Sequence, residues 1–147
     1  MPANFILRVS VLGLIADAED VLLIDQTDPP EPDRWDLPGG GLEPHESILE
    51  GLAREIYEET SVTDFQVEGL LTIVETYMER RTGGTQHQLN IIYKCSVPHR
   101  PANLHSAEPE VGVRGIQWVA IASLTPASCT TRTWKALQAA GLASSST

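Results

Sequence analysis

The sequence predicts a mixed α/β fold in which one sheet carries a helix on each side. Three observations lead there. Apolar, β-branched stretches of strand length recur from residue 5 to residue 120. Only two stretches have helical periodicity, residues 46–60 and 131–140. The connections are short or polar, with no internal repeat and no interdomain linker, so residues 1–147 form one domain large enough to bury a real core.

Residues 5–15 (FILRVSVLGLI) read as a buried strand. After a turn at 17–20, residues 21–25 (VLLID) read as a second strand pairing with the first. Residues 27–34 (TDPPEPDR) are a Pro/Asp-rich loop, either a substrate lid or an ordinary surface connection. A short strand at 35–37 ends at Pro38, and Gly39-Gly40-Gly41 form a glycine-rich turn. Residues 65–81 make one long strand or two broken at Gly69. Residues 82–85 (TGGT) are a hairpin turn, and residues 88–97 return as the partner strand. A second polar loop covers 98–112, followed by a strand at 113–120 with Trp118 in the core. A short turn spans 121–124, and a final helix at 131–140 packs through Trp134 and Leu137 until Gly141 stops it. Residues 144–147 are a frayed tail.

The helix after the glycines is where the chemistry concentrates. His45, Glu46 and Ser47 supply a polar entry, and Glu43 and Glu46 suit the positive end of the helix dipole. Ile48, Leu49, Leu52, Ala53 and Ile56 cover an arc of roughly 140°. Glu59 falls inside that arc, Glu55 at its edge, and Glu58 further round near Gly51 and Arg54. Gly51 costs about 1 kcal/mol in mid-helix, which suggests that it leaves room for another backbone or a ligand. Three carboxylates at the negative end of a helix repel one another and the dipole. A divalent cation relieves both problems, and the inward carboxylate takes a metal or a buried arginine as partner; the alternative is a surface helix whose acids pair with Arg54 and lysine side chains.

These residues carry a family resemblance. Gly40, five residues, Glu46, seven residues, and then Arg54-Glu55-Ile56-Tyr57-Glu58-Glu59-Thr60-Ser61-Val62 resemble the Nudix box, G-x5-E-x7-R-E-U-x-E-E-x-G-U with U apolar. The box occupies residues 40–62, and only Ser61 departs from it, standing where the pattern has glycine. The lead-in RWDLPGG at 34–40 is similar as well. A non-glycine residue in a left-handed turn costs about 1 kcal/mol, so either Ser61 is strained or the helix exits differently.

The resemblance implies a Nudix-type α/β/α sandwich with a mixed central sheet. It implies a hydrolase that uses Mg²⁺, with Mn²⁺ as substitute, to cleave the pyrophosphate bond of a nucleoside diphosphate linked to another moiety. It places metal ligation on Glu55, Glu58 and Glu59, with the Gly39 carbonyl as a further ligand. Glu58 or Glu59 takes the water proton, and Arg54 orients the acids, with Glu58 at i+4 its nearest partner. Gly39, Gly40, Gly41 and Arg80 are the substrate-binding candidates, while Glu46 supports the loop through backbone donors. Further acids for the site are Glu108 and Glu110, then Glu75 and Glu79. Tyr77, Tyr93, Trp35 and Phe5 either stack on a base or belong to the core. The alternative function is a catalytically quiet nucleotide-binding sensor of the same fold.

Composition agrees with hard-cation chemistry. Twenty acidic against 10 basic residues give a formal net charge of −10, which disfavours a nucleic-acid polymer or an anionic membrane as partner. A small phosphorylated nucleotide remains suitable, because a bound cation inverts the local field. The four histidines and two cysteines show no zinc-ligand spacing. With two free thiols, no apolar run of spanning length and no signal-peptide pattern, the expected setting is cytoplasmic. The protein is then a monomer or a homodimer.

Overall fold

The first strand, β1 (Ile6–Asp17), faces two cores at once. Leu12 and Leu14 point into one apolar cluster, and Val11 and Ile15 into the other, as the two-residue period of strand side chains requires. The computed structural model describes residues 5–106 and 108–144. The remaining strands are β2 (Asp20–Gln26), β3 (Arg34–Asp36), β4 (Gly39–Gly41), β5 (Gln66–Glu79), β6 (Thr85–Ser96) and β7 (Val111–Ala120). The helices are α1 (Ile48–Thr60) and α2 (Thr131–Ala139). The sheet order is β3-β2-β1-β6-β5, with β4 also on β1 and β7 also on β2. β1 and β6 run parallel and the other ladders are antiparallel, so the sheet is mixed.

Each core is closed by one helix. Ala136 and Leu137 of α2 complete the cluster of Leu12, Leu14, Leu23 and Ile92, whereas Leu52 and Ile56 of α1 complete that of Val11, Ile15 and Leu22. These leucines and isoleucines are fully buried, each contributing about 1.5–3 kcal/mol by leaving water. The predicted sandwich is therefore the observed one.

Several local expectations change. β1 and β2 do not pair along their length. They meet only at Ala16↔Val21 and Asp17↔Asp20, because β6 and β4 take up the backbone of β1 over most of its course. β2 pairs instead with β3 and β7. Residues 66–79 form a single strand whose register shifts on either side of Gly69 and Leu70. β7 begins two residues early because Val111 pairs with Gln26. Trp118 is half-buried under the Arg100 guanidinium, 4.6 Å from its ring centre, and belongs to the α1-side cluster. Within the expected C-terminal tail only Ser144 falls among the described residues; its carbonyl accepts from Gln138 Nε2.

α1 starts with a reciprocal cap: Glu50 N–H donates to Ser47 Oγ, and Ser47 N–H donates to Glu50 Oε1. Its apolar arc is narrower than the helical wheel predicts. Leu52 and Ile56 are buried, but Ile48, Leu49 and Ala53 are exposed. The buried side chains of α1 run through Leu52, Ile56 and Glu59 over β1, β4 and the Leu22 and Cys95 side chains, and Ile48, Leu49 and Ala53 fall outside that line. Gly51 makes room for neither backbone nor ligand, since the Leu42 side chain and the Glu46 carboxylate lie against it. Cys95 and Cys129 are free and buried, and burial pushes the Cys95 thiol up to about 12. No helix among the described residues is long and apolar enough to cross a membrane.

Candidate active site

Gly39, Gly40 and Gly41 form strand β4, in register with Leu12, Val11 and Ser10, rather than the turn the sequence suggests. Their lack of side chains is what allows the pairing. At Gly39 the backbone has φ 149°, and a Cβ would run into the Val11 carbonyl. At Gly40 a Cβ would lie 2.6 Å from Glu55 Oε2. The glycine strand thus presents bare backbone to the acidic turn of α1.

Glu59 reaches across that strand from inside the protein. It is 4% exposed, and its Oε1 accepts the Gly39 N–H at 2.6 Å. Burial pushes its carboxyl well above the usual range. The Gly39 bond opposes that shift, while the charges of Asp36, Glu55 and Glu110 add to it. No described cation is bonded to it.

Arg54 ties together the rest of the box. Its Nε and Nη2 grip the Glu46 carboxylate at 2.6 and 3.0 Å, and Nη2 also donates to the Gly41 carbonyl. Nη1 lies 3.0 Å from Glu55 Oε1 and 3.1 Å from Glu58 Oε2. Glu46, rather than the expected Glu58, is therefore its main partner. The two-pronged contact holds the Glu46 carboxyl down at about 2, with help from the Glu43 N–H. That second bond is the backbone support expected of Glu46. Burial raises the Glu55 carboxyl despite Arg54, and the charges of Glu58 and Glu108 push it further.

Sequence reasoning missed a second arginine centre. Arg132, at the start of α2, donates from Nη2 and Nε to the two oxygens of Asp36 at 2.7 and 3.1 Å, and from Nη1 to Asn90 Oδ1 at 2.8 Å. Thr130 and Thr133 complete the shell around Asp36. Burial alone pushes Asp36 up, but the Arg132 charge and these hydrogen bonds outweigh it and leave the carboxyl below its ordinary value. One signal was available: Asn90 is a polar residue flanked by Leu89 and Ile91, in a strand whose neighbouring inward position is apolar.

Beside these residues opens a cleft of about 670 Å³. Glu59, Gly39 and Gly40 line it, as do Glu110 and Glu75 among the further acids. Glu55 and Glu58 are not part of its wall; they flank it beyond Gly40, held by Arg54. Gly41 lies just outside, under the Arg8 guanidinium. Arg80 is in the β5–β6 turn, away from the lining, and Glu79 is exposed on β5. The 27–34 loop contributes Asp28, Pro29, Pro30 and Glu31 to the wall, so it does border the cleft. Of the four aromatic candidates, Tyr77 alone lines it, stacked on His87 at 4.5 Å. Trp35 is core beneath Arg114, Tyr93 packs on the α1 side, and Phe5 meets the edge of His87. Arg8, unremarked in the sequence, lines the cleft, and its side chain has no hydrogen-bond or ion-pair partner among the described residues.

The donor chemistry fits a hard cation: carboxylate and carbonyl oxygens, no imidazole or thiolate, and an excess of negative charge. The acids do not already form a cage. Among the described residues no three His, Cys, Asp or Glu side chains converge on one point, and Arg54 Nη1 bridges Glu55 and Glu58.

A mixed sheet between two helices, with a glycine strand set against the acidic end of one of them, defines an α/β/α sandwich with a carboxylate-walled cleft. The NUDIX domain family matches residues 6–139, and the chain belongs to that family. It is 37% identical over 81 residues to diphosphoinositol polyphosphate phosphohydrolase 3-alpha of Mus musculus, covering 54% of this chain and 48% of that protein. The chain thus spans about half the length of the mouse protein. The crystal structure of a MutT NUDIX hydrolase from Burkholderia pseudomallei superposes with TM-score 0.70 at 26% identity, over 90% of this chain and 96% of that one. The NUDIX domain of Shewanella oneidensis NrtR, solved with ADP ribose, shares the fold at TM-score 0.67 and 18% identity, over 92% of this chain and 86% of that one.

Proposed function

We propose that this protein is a Mg²⁺- or Mn²⁺-dependent pyrophosphohydrolase acting on a small nucleoside diphosphate linked to a further group. The observation that carries the reading is Glu59: a carboxylate buried at the cleft floor, fixed by one amide and surrounded by other acids, with no described cation bonded to it. Glu55, Glu58 and Glu59 are the residues to hold the ion, with the Gly39 carbonyl beside them. When bound, the ion neutralises phosphate charge and polarises the attacking water. Glu59 or Glu58 would take the proton of that water, and the raised carboxyl of Glu59 supports its candidacy. Arg54 holds Glu55 and Glu58 in reach of each other without full repulsion. Arg8, the uncommitted cation of the wall, meets a substrate phosphate, and exposed Tyr77 offers a stacking face.

The charge of the wall bears on the substrate. Arg8 and Arg132 are its described cations, and Arg132 is already committed to Asp36. Against them stand Asp28, Glu31, Asp36, Glu59, Glu75 and Glu110. Such a surface suits one diphosphate bridge and disfavours a ring crowded with phosphates like that of the mouse relative's named substrate.

The test is a screen of ADP-ribose, nucleoside triphosphates, dinucleoside polyphosphates and a diphosphoinositol polyphosphate, each with Mg²⁺, Mn²⁺ or chelator. The expected result is cation-dependent release from a singly bridged nucleotide, and a loss of about a hundredfold or more in kcat for Glu58→Gln with the fold intact. Tight nucleotide binding without turnover under every cation makes the protein a sensor instead.

A further inference from the structure

The 27–34 loop borders the cleft, and α2 begins beside it. A helix start leaves N–H groups without partners, and the residue before it ordinarily supplies a side-chain oxygen to one of them. Thr130 holds that position, at φ −64° and ψ 156°, but makes no capping bond. Its hydroxyl turns inward and lies 2.8 Å from Asp36 Oδ1. The cap comes from the loop instead. Glu31 Oε2 accepts both the N–H and the hydroxyl of Thr131, at 3.0 and 2.8 Å, and Oε1 lies 3.2 Å from the same N–H. The two partners are 100 residues apart.

The rest of the loop is fastened at its ends. Gln26 Nε2 donates to the Glu31 carbonyl at 2.8 Å, and Asp33 N–H donates to the Gln26 carbonyl at 2.7 Å. Arg34 Nη1 reaches the Cys129 carbonyl at 3.4 Å, and Thr130 N–H donates to the Trp35 carbonyl at 2.9 Å. Between these points Pro29, Pro30 and Pro32 each fix a backbone angle. The Arg34–Glu31 ion pair adds little, because at 3.5 Å between partly exposed side chains it is screened by water. The contact that ties the loop to α2 is therefore Glu31 on Thr131.

We infer that Glu31 is a positioning residue: by capping α2 from outside, it holds the 27–34 loop as a standing wall of the cleft rather than a swinging lid, and so sets which group the substrate can carry beyond its diphosphate. The fastening stands on these contacts alone; its bearing on substrate rests on the proposed hydrolase and deepens it. The wall offers proline rings and the acids Asp28 and Glu31 to the cleft. Such a face takes an uncharged group such as a sugar and turns away a further phosphate.

Both ends of the contact can be cut without breaking the helix. Glu31→Ala removes the acceptor. Thr131→Pro removes the N–H and the hydroxyl together, and proline suits the first position of a helix when the residue before it is extended, as Thr130 is. Glu31→Gln keeps an oxygen able to accept from both donors and removes the charge. Amide exchange of Asp33 is measured on the metal-free proteins, and kcat and KM for ADP-ribose and ATP under the cation that supports turnover. Glu31→Ala and Thr131→Pro are each expected to speed Asp33 exchange about tenfold. Each should also raise KM for ADP-ribose about tenfold with kcat nearly unchanged, and narrow the preference for ADP-ribose over ATP. The double variant should be no worse than either single one, because both cut the same contact. Glu31→Gln should restore Asp33 exchange and the KM for ADP-ribose to near wild type. Wild-type exchange or wild-type KM in both single variants overturns the inference, as do losses that add in the double variant or fall on kcat alone, and as does a wild type that prefers ATP. A wild-type protein that turns over neither nucleotide with any cation overturns the hydrolase reading, and Asp33 exchange then decides the fastening by itself.

Discussion

Two carboxylates, Asp36 and Glu59, are almost equally buried on the same cleft, at 3% and 4% exposure. They have opposite electrostatic fates. Asp36 has a guanidinium on both oxygens and two threonine hydroxyls around it, and it is held below its ordinary titration range. Glu59 has a single amide, faces Asp36, Glu55 and Glu110, and is raised well above its own. The fold has ion-paired one buried charge and left the other with only the more distant field of Arg132. A satisfied buried acid organises structure, while an unsatisfied one at a cleft floor is reserved for something the protein binds.

The difference can be broken from either side. Glu59→Gln should reduce kcat by about a thousandfold while leaving urea stability equal to or above wild type, since it removes a buried charge that no cation is bonded to. Asp36→Asn should do the reverse. It strands Arg132 without its counter-charge, and should cost about 3–5 kcal/mol in urea unfolding before any effect on turnover is considered.

Acidity sharpens the contrast at smaller amplitude. Asp36 titrates lower in the folded chain than the ordinary 3.8 of an aspartate, so its contribution to stability is present above that value and is lost as pH falls through the folded one. Glu59 titrates above 4.5 in the folded chain. Its contribution is present below 4.5 and lost as pH rises through the folded value. Metal-free protein should therefore lose part of its urea stability between pH 4.5 and neutrality, by less than about 1.4 kcal/mol per pH unit. Glu59→Gln should flatten that slope. Over the same range Mn²⁺ should bind more tightly as pH rises, releasing protons that calorimetry in two buffers will register.

How far this was legible in the sequence depends on the range of each interaction. The periodicity of α1, the inward turn of Glu59 and the two-helix sandwich were readable, because they follow from spacing along one element. The full apolar arc was not, because the exposure of Leu49 and Ala53 depends on how little sheet lies beneath the helix. The glycine run looked like a turn for want of a visible partner; its pairing with β1 appears only in three dimensions. Arg54's preference for Glu46 could not be ranked, since an eight-residue separation is contact only when the loop folds back on the helix. Arg132 and Asp36 are 96 residues apart, and nothing local marks them as partners.

That separation has a consequence for the order in which the protein is made. Asp36 leaves the ribosome long before the arginine that neutralises it, a delay of about 5–20 s at ordinary elongation rates. A sheet completed by β6 and β7 before that helix emerges holds an acid it cannot yet shelter. The charge balance of the cleft is therefore set by the arrival of the last helix, and a chain arrested before residue 132 should hold its glycine strand less firmly than the finished one.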